Sequence, residues 1–303
     1  MNAGYNRIMA SQRRRHWILM LFEWRGSVLR TILPRLCLLF LISACVVWSH
    51  GYIGRYRIPL DIAPFTLSGV AISIFLGFRN SASYERFWEG RKLWGSLLNT
   101  MRSLARQGMT HAQLAENDPR LREWLALLAA CAHALRHQLR GSDPRSDLER
   151  LLPAATVERV LAAEYRPALI LGMLGEWVAA RRVEGSLGEM LTAAFDRNLD
   201  ELSNIIGGCE RLANTPIPYG YAVIIHRTVY IYCLLLPFGL VDSLGMMTPV
   251  MATFIAYTFI ALDTLAEELE EPFGTDYNDL PLEKLSGNIE GAVFDLAKLA
   301  APS

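Results

Sequence analysis

Four stretches of the chain are apolar over lengths that match a bilayer, and one long polar region separates the second from the third. The first, residues 36–49 (LCLLFLISACVVWS), carries no charge. Extended back through Thr31 to Arg35 it reaches the ~20 residues that cross hydrocarbon, with Arg35 able to snorkel from its end. The second, 62–78, has Pro64 in its first turn, where proline is tolerated. The third, 222–241, is apolar except for His226 and Arg227, and Pro237 predicts a kink. After a short turn at 242–245 comes the fourth, 247–265, with Asp263 near its end. Ionisable groups at the ends of such spans are expected to be interfacial or paired.

The second stretch has no stop signal. Residues 60–92 read LDIAPFTLSGVAISIFLGFRNSASYERFWEGRK, and the polar, aromatic half lacks proline. This predicts one helix that leaves the bilayer and continues as the first element of a soluble domain. Val70, Ile74 and Phe78 are spaced i, i+4, i+8 and so share one helix face. Periodicity leaves open whether that face meets lipid, packs against protein or lines a pore.

Between 79 and 221 no apolar run is long enough to span. Helices are predicted at 81–106, at 120–140 with an apolar stripe through Leu121, Trp124, Leu125, Leu128, Ala132 and Leu135, at 168–182 and at 187–212. Breaks fall at Asp118-Pro119, at 141–144 (GSDP), at Leu152-Pro153, Arg166-Pro167 and Glu184-Gly185. The resulting plan is an N-terminal interfacial segment over 1–35, two spans over 36–78, a cytoplasmic helical domain over 79–221, two more spans over 222–266, and a C-terminal segment over 267–303.

Charge sets the orientation. Residues 1–30 are basic and amphipathic, with Trp17, Phe22 and Trp24 interleaved among Arg13, Arg14, Arg15 and Arg25. An even number of spans puts both termini and the Arg/Lys-rich 79–106 segment on one side, and the excess of positive charge predicts that this side is the cytoplasm. Lys+Arg and Asp+Glu balance at 30 each, which gives no pull towards nucleic acid. Mean hydropathy is +0.21, rich for a soluble chain and poor for an all-membrane one, so charges and apolar segments must be segregated. The first apolar run starts too late for an ordinary signal peptide. The five cysteines form no CxxC pair, so no disulfide framework or zinc site is expected. His133 and His137 sit at i, i+4 but lack a third ligand in any readable motif. No HExxH, P-loop, GxGxxG or nucleophile constellation is present, so no enzyme activity and no cofactor are expected.

Three motifs in order resemble the bestrophin family. Residues 76–95 (LGFRNSASYERFWEGRKLWG) look like that family's second helix and its continuation, with Arg86 and Trp88 at matching positions. Residues 207–212 (GGCERL) followed by Pro216-Ile217-Pro218, and 266–274 (AEELEEPFG), are similar to its bacterial branch. The resemblance implies an all-α integral membrane protein with four transmembrane helices per subunit and a helical cytoplasmic domain. It implies a homopentamer in the lipid bilayer of a bacterial inner membrane, conducting small monovalent ions; chloride conduction is the family's best-known activity.

The resemblance also assigns sites. Val70, Ile74 and Phe78 fall on the three positions of a hydrophobic neck. Met190, with Glu189 beside it, falls near the cytoplasmic aperture. Rings of Glu189 carboxylates, and of Asp61 at the outer mouth, would favour cations. In eukaryotic members the segment after the Asn-Pro-Phe-Gly motif clasps calcium, and Glu268, Glu271, Asp276 and Asp279 occupy the corresponding positions here. Glu271 stands in place of the family asparagine and the acidic block is thinned, which weakens the case for Ca²⁺. The alternative for this acidic run is a charged segment docked on the basic 79–106 helix. Two other function classes compete: a membrane transporter, which would show internal repeats, and a membrane-bound signalling scaffold, which would carry an output domain. Neither sign is visible in the sequence.

Overall fold

The computed structural model describes residues 26–49, 52–53, 56–57, 61–112, 114 and 118–299. The basic segment over 1–25, together with Arg55 and Leu60, lies outside the described residues. Among those described, the chain is helical apart from one two-residue antiparallel pair. The order is α1 (Leu29–Trp48), β1 (Tyr52–Ile53), β2 (Tyr56–Arg57), α2 (Ile62–His111), α3 (Pro119–Leu139), α4 (Arg145–Leu151), α5 (Ala154–Leu161), α6 (Arg166–Val183), α7 (Glu189–Asn214), α8 (Tyr219–Leu244), a 3₁₀ turn (Gly245–Met247), α9 (Thr248–Glu270) and α10 (Leu282–Leu299). Tyr52 pairs with Arg57 and Ile53 with Tyr56. Helix α2 runs unbroken for 50 residues. Two compact units emerge, one of residues 1–81 and 218–267, the other of 82–217 and 268–303.

In the first unit α1, the start of α2, α8 and α9 share one core. Ile32, Leu36 and Leu39 meet Ile72 and Leu76 from α2, Ile225, Val229 and Cys233 from α8, and Ala256, Phe259 and Ile260 from α9. Each helix keeps apolar residues on its outer side as well, among them Leu38 and Leu41, Leu67 and Phe75, Ile231 and Leu234, and Phe254. Helices that are apolar all round suit a membrane and not water. Three stretches are long and apolar enough to cross one: Leu29–Trp48, Ile62–His111 and Tyr219–Glu270. The last comprises α8 and α9, separated by the 3₁₀ turn, where Gly245 takes φ +50. Several hydroxyls within these segments are satisfied locally. Ser43 donates to the Leu39 carbonyl, Ser73 to Gly69 and Thr228 to Ile224, each one turn back.

Close approach of α2 to α8 rests on glycine. A Cβ on Gly69 would lie 2.8 Å from the Tyr232 hydroxyl, and one on Gly239 would lie 2.6 Å from the Phe65 ring. Phe65 and Tyr232 pack with ring centroids 5.9 Å apart.

The second unit is a water-soluble kind of core. From α2 come Trp94, Leu97, Met101 and Leu104, at alternating spacings of three and four; α3, α6, α7 and α10 supply the rest. Trp124 sits at its centre, 4.5 Å from the Trp177 ring and 5.5 Å from Phe195, with its indole N–H donated to the Leu104 carbonyl at 3.0 Å. Helix α3 starts where the sequence breaks: Asp118 accepts from the Arg120 amide at 2.8 Å and Pro119 takes the first helical position. The C-terminal segment holds an 18-residue helix whose Leu282, Ile289 and Val293 are buried. Arg86 and Glu89 take different kinds of partner. The Arg86 guanidinium donates to the carbonyls of Thr215 (2.6 Å), Leu212 (2.7 Å) and Glu270 (3.1 Å), closing the ends of α7 and α9. Glu89 accepts from Arg211.

A charged staple ties α3, α4 and α10 together. His133 Nε2 lies 2.7 Å from Glu290, which also accepts from Arg150 at 2.8 Å. His137 lies 3.0 Å from Asp147, and Asp147 also accepts from Arg136. Burial holds His133 below the usual histidine range, against the pull of Glu290. Burial alone would raise Asp147, but the His137 hydrogen bond and the charges of His133 and Arg136 carry it below the carboxylate range. Arg150 does the same for Glu290.

All three shifts have the same consequence. A histidine with a depressed folded pKa binds its proton more readily when unfolded, so its contribution is lost as pH falls below about 6.5; the depressed carboxylates add a loss below about 4.5. Thermal unfolding followed by circular dichroism is therefore expected to give a midpoint that falls between pH 7 and pH 5, and His133→Phe is expected to flatten that part of the profile. In the membrane unit, Gly69→Ala is expected to cost about 1 kcal/mol by overpacking against Tyr232. The double variant Gly69→Ala/Tyr232→Phe, which removes the obstructing hydroxyl, is expected to recover the loss in a thermal-shift assay in detergent.

Candidate functional site

Helix α2 begins with Asp61, whose carboxylate accepts from the Ala63 amide at 3.1 Å. A short acidic side chain just before a helix satisfies one of its free amides, so this carboxylate has a local structural role. From there the apolar stripe runs inward. Val70, Ile74 and Phe78 are 55%, 53% and 65% exposed in the single chain. At roughly 100° per residue they occupy an arc of about 80°, and Phe65, Gly69, Ile72, Leu76 and Arg79 occupy an arc of similar width centred on the opposite side. The stripe is thus the face turned away from the subunit's own helices. Small residues flank it: Ala71, Ser73 and Gly77, the last with open space where a Cβ would be.

The stripe ends at a polar clasp. Arg79, only 4% exposed, pairs with Asp263 of α9, which is 2% exposed. Next to it, Asn80 donates to the Leu262 carbonyl at 3.1 Å and to Leu76 at 2.9 Å. The other Asp263 oxygen lies 2.9 Å from His226 Nδ1 on α8. His226 stacks on Tyr230 with centroids 4.4 Å apart, and the Tyr230 hydroxyl accepts from Arg35 of α1 at 2.6 Å. All four helices of the unit are joined in one polar chain. The sequence marks His226 and Asp263 as suspects for pairing; Arg79, Asn80, Tyr230 and Arg35 go unmarked as their partners. The available signal was an arginine directly after an apolar stripe and an aspartate inside another apolar run, two charges that need each other in hydrocarbon.

The second predicted place is the start of α7. Gly188 precedes the helix without a side-chain cap. Met190 is 89% exposed. Glu189 is also exposed, but it does not stand alone: Arg182, from the end of α6, approaches it to 3.5 Å. A cleft of about 500 Å³ lies alongside, lined by Val178, Ala179, Arg182, Val183, Thr192 and Asp196. The acidic ring expected from sequence is thus accompanied by a basic residue of the same chain.

The acidic run after α9 closes on itself. Gly274 donates to the Glu271 carbonyl, and Asp279 accepts from the Asp276 amide at 2.6 Å. Glu268 accepts from the Asn278 side chain at 2.6 Å. Arg140 donates to the carbonyls of Phe273 and Leu280. Burial raises Asp279 above the usual carboxylate range, and the nearby charges of Asp276 and Glu268 add to this. Among the described residues no three acidic, imidazole or thiol groups converge as a metal-binding set. Cys37 and Cys45 are exposed, Cys131, Cys209 and Cys233 buried, and all five are free thiols.

Comparison with known proteins gives one answer. The profile described as bacterial/fungal bestrophin protein matches residues 9–295. A voltage-dependent anion channel-forming protein of Ralstonia nicotianae is 54% identical over 283 residues, covering 93% of this chain and 92% of that one. The voltage-dependent anion channel-forming protein YneE of Escherichia coli K12 is 45% identical over 277 residues, covering 91% and 90%. Among solved structures, a bacterial bestrophin homolog from Klebsiella pneumoniae superposes with a TM-score of 0.84 at 46% identity, covering 88% of this chain and 98% of that one. With its α2 stripe, its helical second unit and its Pro-Phe-Gly loop, this chain belongs to the bestrophin family.

Proposed function

We propose that the chain is one subunit of a homopentameric anion channel of a bacterial inner membrane. The carrying observation is the stripe of Val70, Ile74 and Phe78, exposed on the face opposite to the one that packs on the subunit's own helices. A ring of five such stripes makes a dry constriction that gates by dewetting, and the small residues flanking it let neighbouring α2 helices approach closely. α1, the first part of α2, α8 and α9 act as four membrane crossings, with the termini and second unit on the cytoplasmic side, in keeping with the positive-inside rule. Met190 forms a second constriction at the cytoplasmic exit.

Anion conduction is favoured over cation conduction on two grounds. The curated relatives are anion channel-forming proteins. The two carboxylates that lean towards cations are both engaged, Asp61 with the Ala63 amide and Glu189 with Arg182. Permeation uses no cofactor and no resident metal; lipid, the other four subunits and the permeant monovalent ions are the partners. A transporter or scaffold reading has no comparable observation behind it.

Single-channel recording of purified protein in planar bilayers under a potassium chloride gradient tests this. Reversal near the chloride potential is expected, and reversal near the potassium potential would reject the anion assignment. Phe78→Ala and Ile74→Ala are expected to raise unitary conductance about twofold or more, since a wider constriction costs an ion less dehydration. Arg182→Gln is expected to move the reversal potential towards the cation value, and Glu189→Gln to move it the other way.

A further inference from the structure

We propose that Arg35 and Arg227, gathered around Tyr230, seat the phosphate of an anionic phospholipid of the cytoplasmic leaflet. This rests on the reading of α1 and α8 as membrane crossings that both start at the cytoplasmic face. Tyr230 of α8 holds Arg35 in place. The Arg35 guanidinium donates to the Tyr230 hydroxyl at 2.6 Å and lies 5.8 Å from the centre of its ring. His226 stacks against the same ring with centroids 4.4 Å apart, which fixes the tyrosine in turn. Arg227 stands three residues before Tyr230 on α8, a spacing that makes the two neighbours on the helix surface. Guanidiniums from two helices therefore border one tyrosine. Tyr230 accepts from Arg35 and so keeps its own proton to donate, while each guanidinium presents a planar fork that matches a phosphate.

Depth suits a headgroup. At about 1.5 Å per residue, Arg35 lies about 9 Å beyond the start of α1 and Arg227 about 12 Å beyond the start of α8, within snorkelling reach of the headgroup layer. Guanidiniums at that depth need counter-charge. At this end of the first unit the acids among the described residues are Asp263 and Glu267; Asp61 and Asp242 stand at the opposite ends of their helices. Asp263 is engaged by Arg79 and His226. That leaves Glu267 to face Arg30, Arg35 and Arg227. A neighbouring copy of the same unit brings the same excess of positive charge, so pairing between copies does not remove it. The phosphates of anionic lipids supply it from outside the assembly, at the level where these arginines stand.

Native mass spectrometry of the full-length assembly in detergent, titrated with phosphatidylglycerol or with phosphatidylcholine, tests the proposal. Phosphatidylglycerol is expected to bind about tenfold tighter or more. Arg35→Gln and Arg227→Gln are each expected to bring the two lipids within about threefold of one another, and Arg227→Lys to keep part of the preference; should one glutamine variant fail to fold, the other decides. No preference in the wild type, or a preference that survives both substitutions, overturns the proposal. So does inorganic phosphate competing as well as the lipid, which makes this a site for free anions. So does a loss of subunit assembly shared by Arg227→Gln and Glu267→Gln, which assigns the guanidinium to a carboxylate of the neighbouring copy. Micelles have no sides, so lipid preference and orientation fail separately. Protease access to the N-terminus in sealed right-side-out vesicles removes the cytoplasmic placement and leaves the lipid site standing.

Discussion

The membrane unit depends on one buried ion pair. A guanidinium and a carboxylate among apolar helices are each costly, and removing one partner of such a pair strands the other at about 3–5 kcal/mol. Arg79 and Asp263 offset each other's burial, and the pair joins residues 184 positions apart in sequence. Apolar packing between membrane helices tolerates sliding and rotation, because one leucine or isoleucine contact is much like the next. A charge pair with flanking hydrogen bonds from Asn80 and His226 does not. It supplies the register that the core of Ile72, Leu76, Phe259 and Ile260 leaves loosely specified.

The way α2 is packed follows from that division of labour. Its inward face carries an aromatic ring, a glycine, two branched aliphatics and an arginine at spacings of four, three, four and three. Its outward face carries Val70, Ile74 and Phe78, each more than half exposed in the single chain. Leaving three large apolar side chains uncovered in one subunit is consistent only with a surface that something else meets. Flanking glycine, alanine and serine keep that surface narrow.

Much of this was legible in the sequence, and the parts that were not have physical reasons. The membrane stretches are visible because composition and length alone define them. The 50-residue α2 is visible because nothing between 62 and 111 stops a helix after Pro64, and the start of α3 because Asp118 and Pro119 carry capping chemistry in adjacent residues. Short α4 and α5 are not visible: seven and eight residues give too little periodicity. The role of Arg86 is not visible because the three free carbonyls that it meets at helix ends are brought together only by the fold. The partner of Glu189 was hidden for the same reason, as Arg182 sits beyond a turn whose geometry the sequence does not fix.

The contrast between the two polar clusters shows what burial does to charge. In the second unit His133, Asp147 and Glu290 form a staple that water can partly reach, with Arg136 and Arg150 supplying compensating charge from several sides. Losing one member redistributes the load over the others, and the helices remain held by the surrounding core of Trp124, Leu128 and Ile289. In the membrane unit Asp263 is 2% exposed, beyond the reach of water. Two basic groups share Asp263, Arg79 on one oxygen and His226 on the other. A buried carboxylate with basic partners on two other helices ties α2 and α8 to α9 at one point, directly after the last residue of the stripe, Phe78.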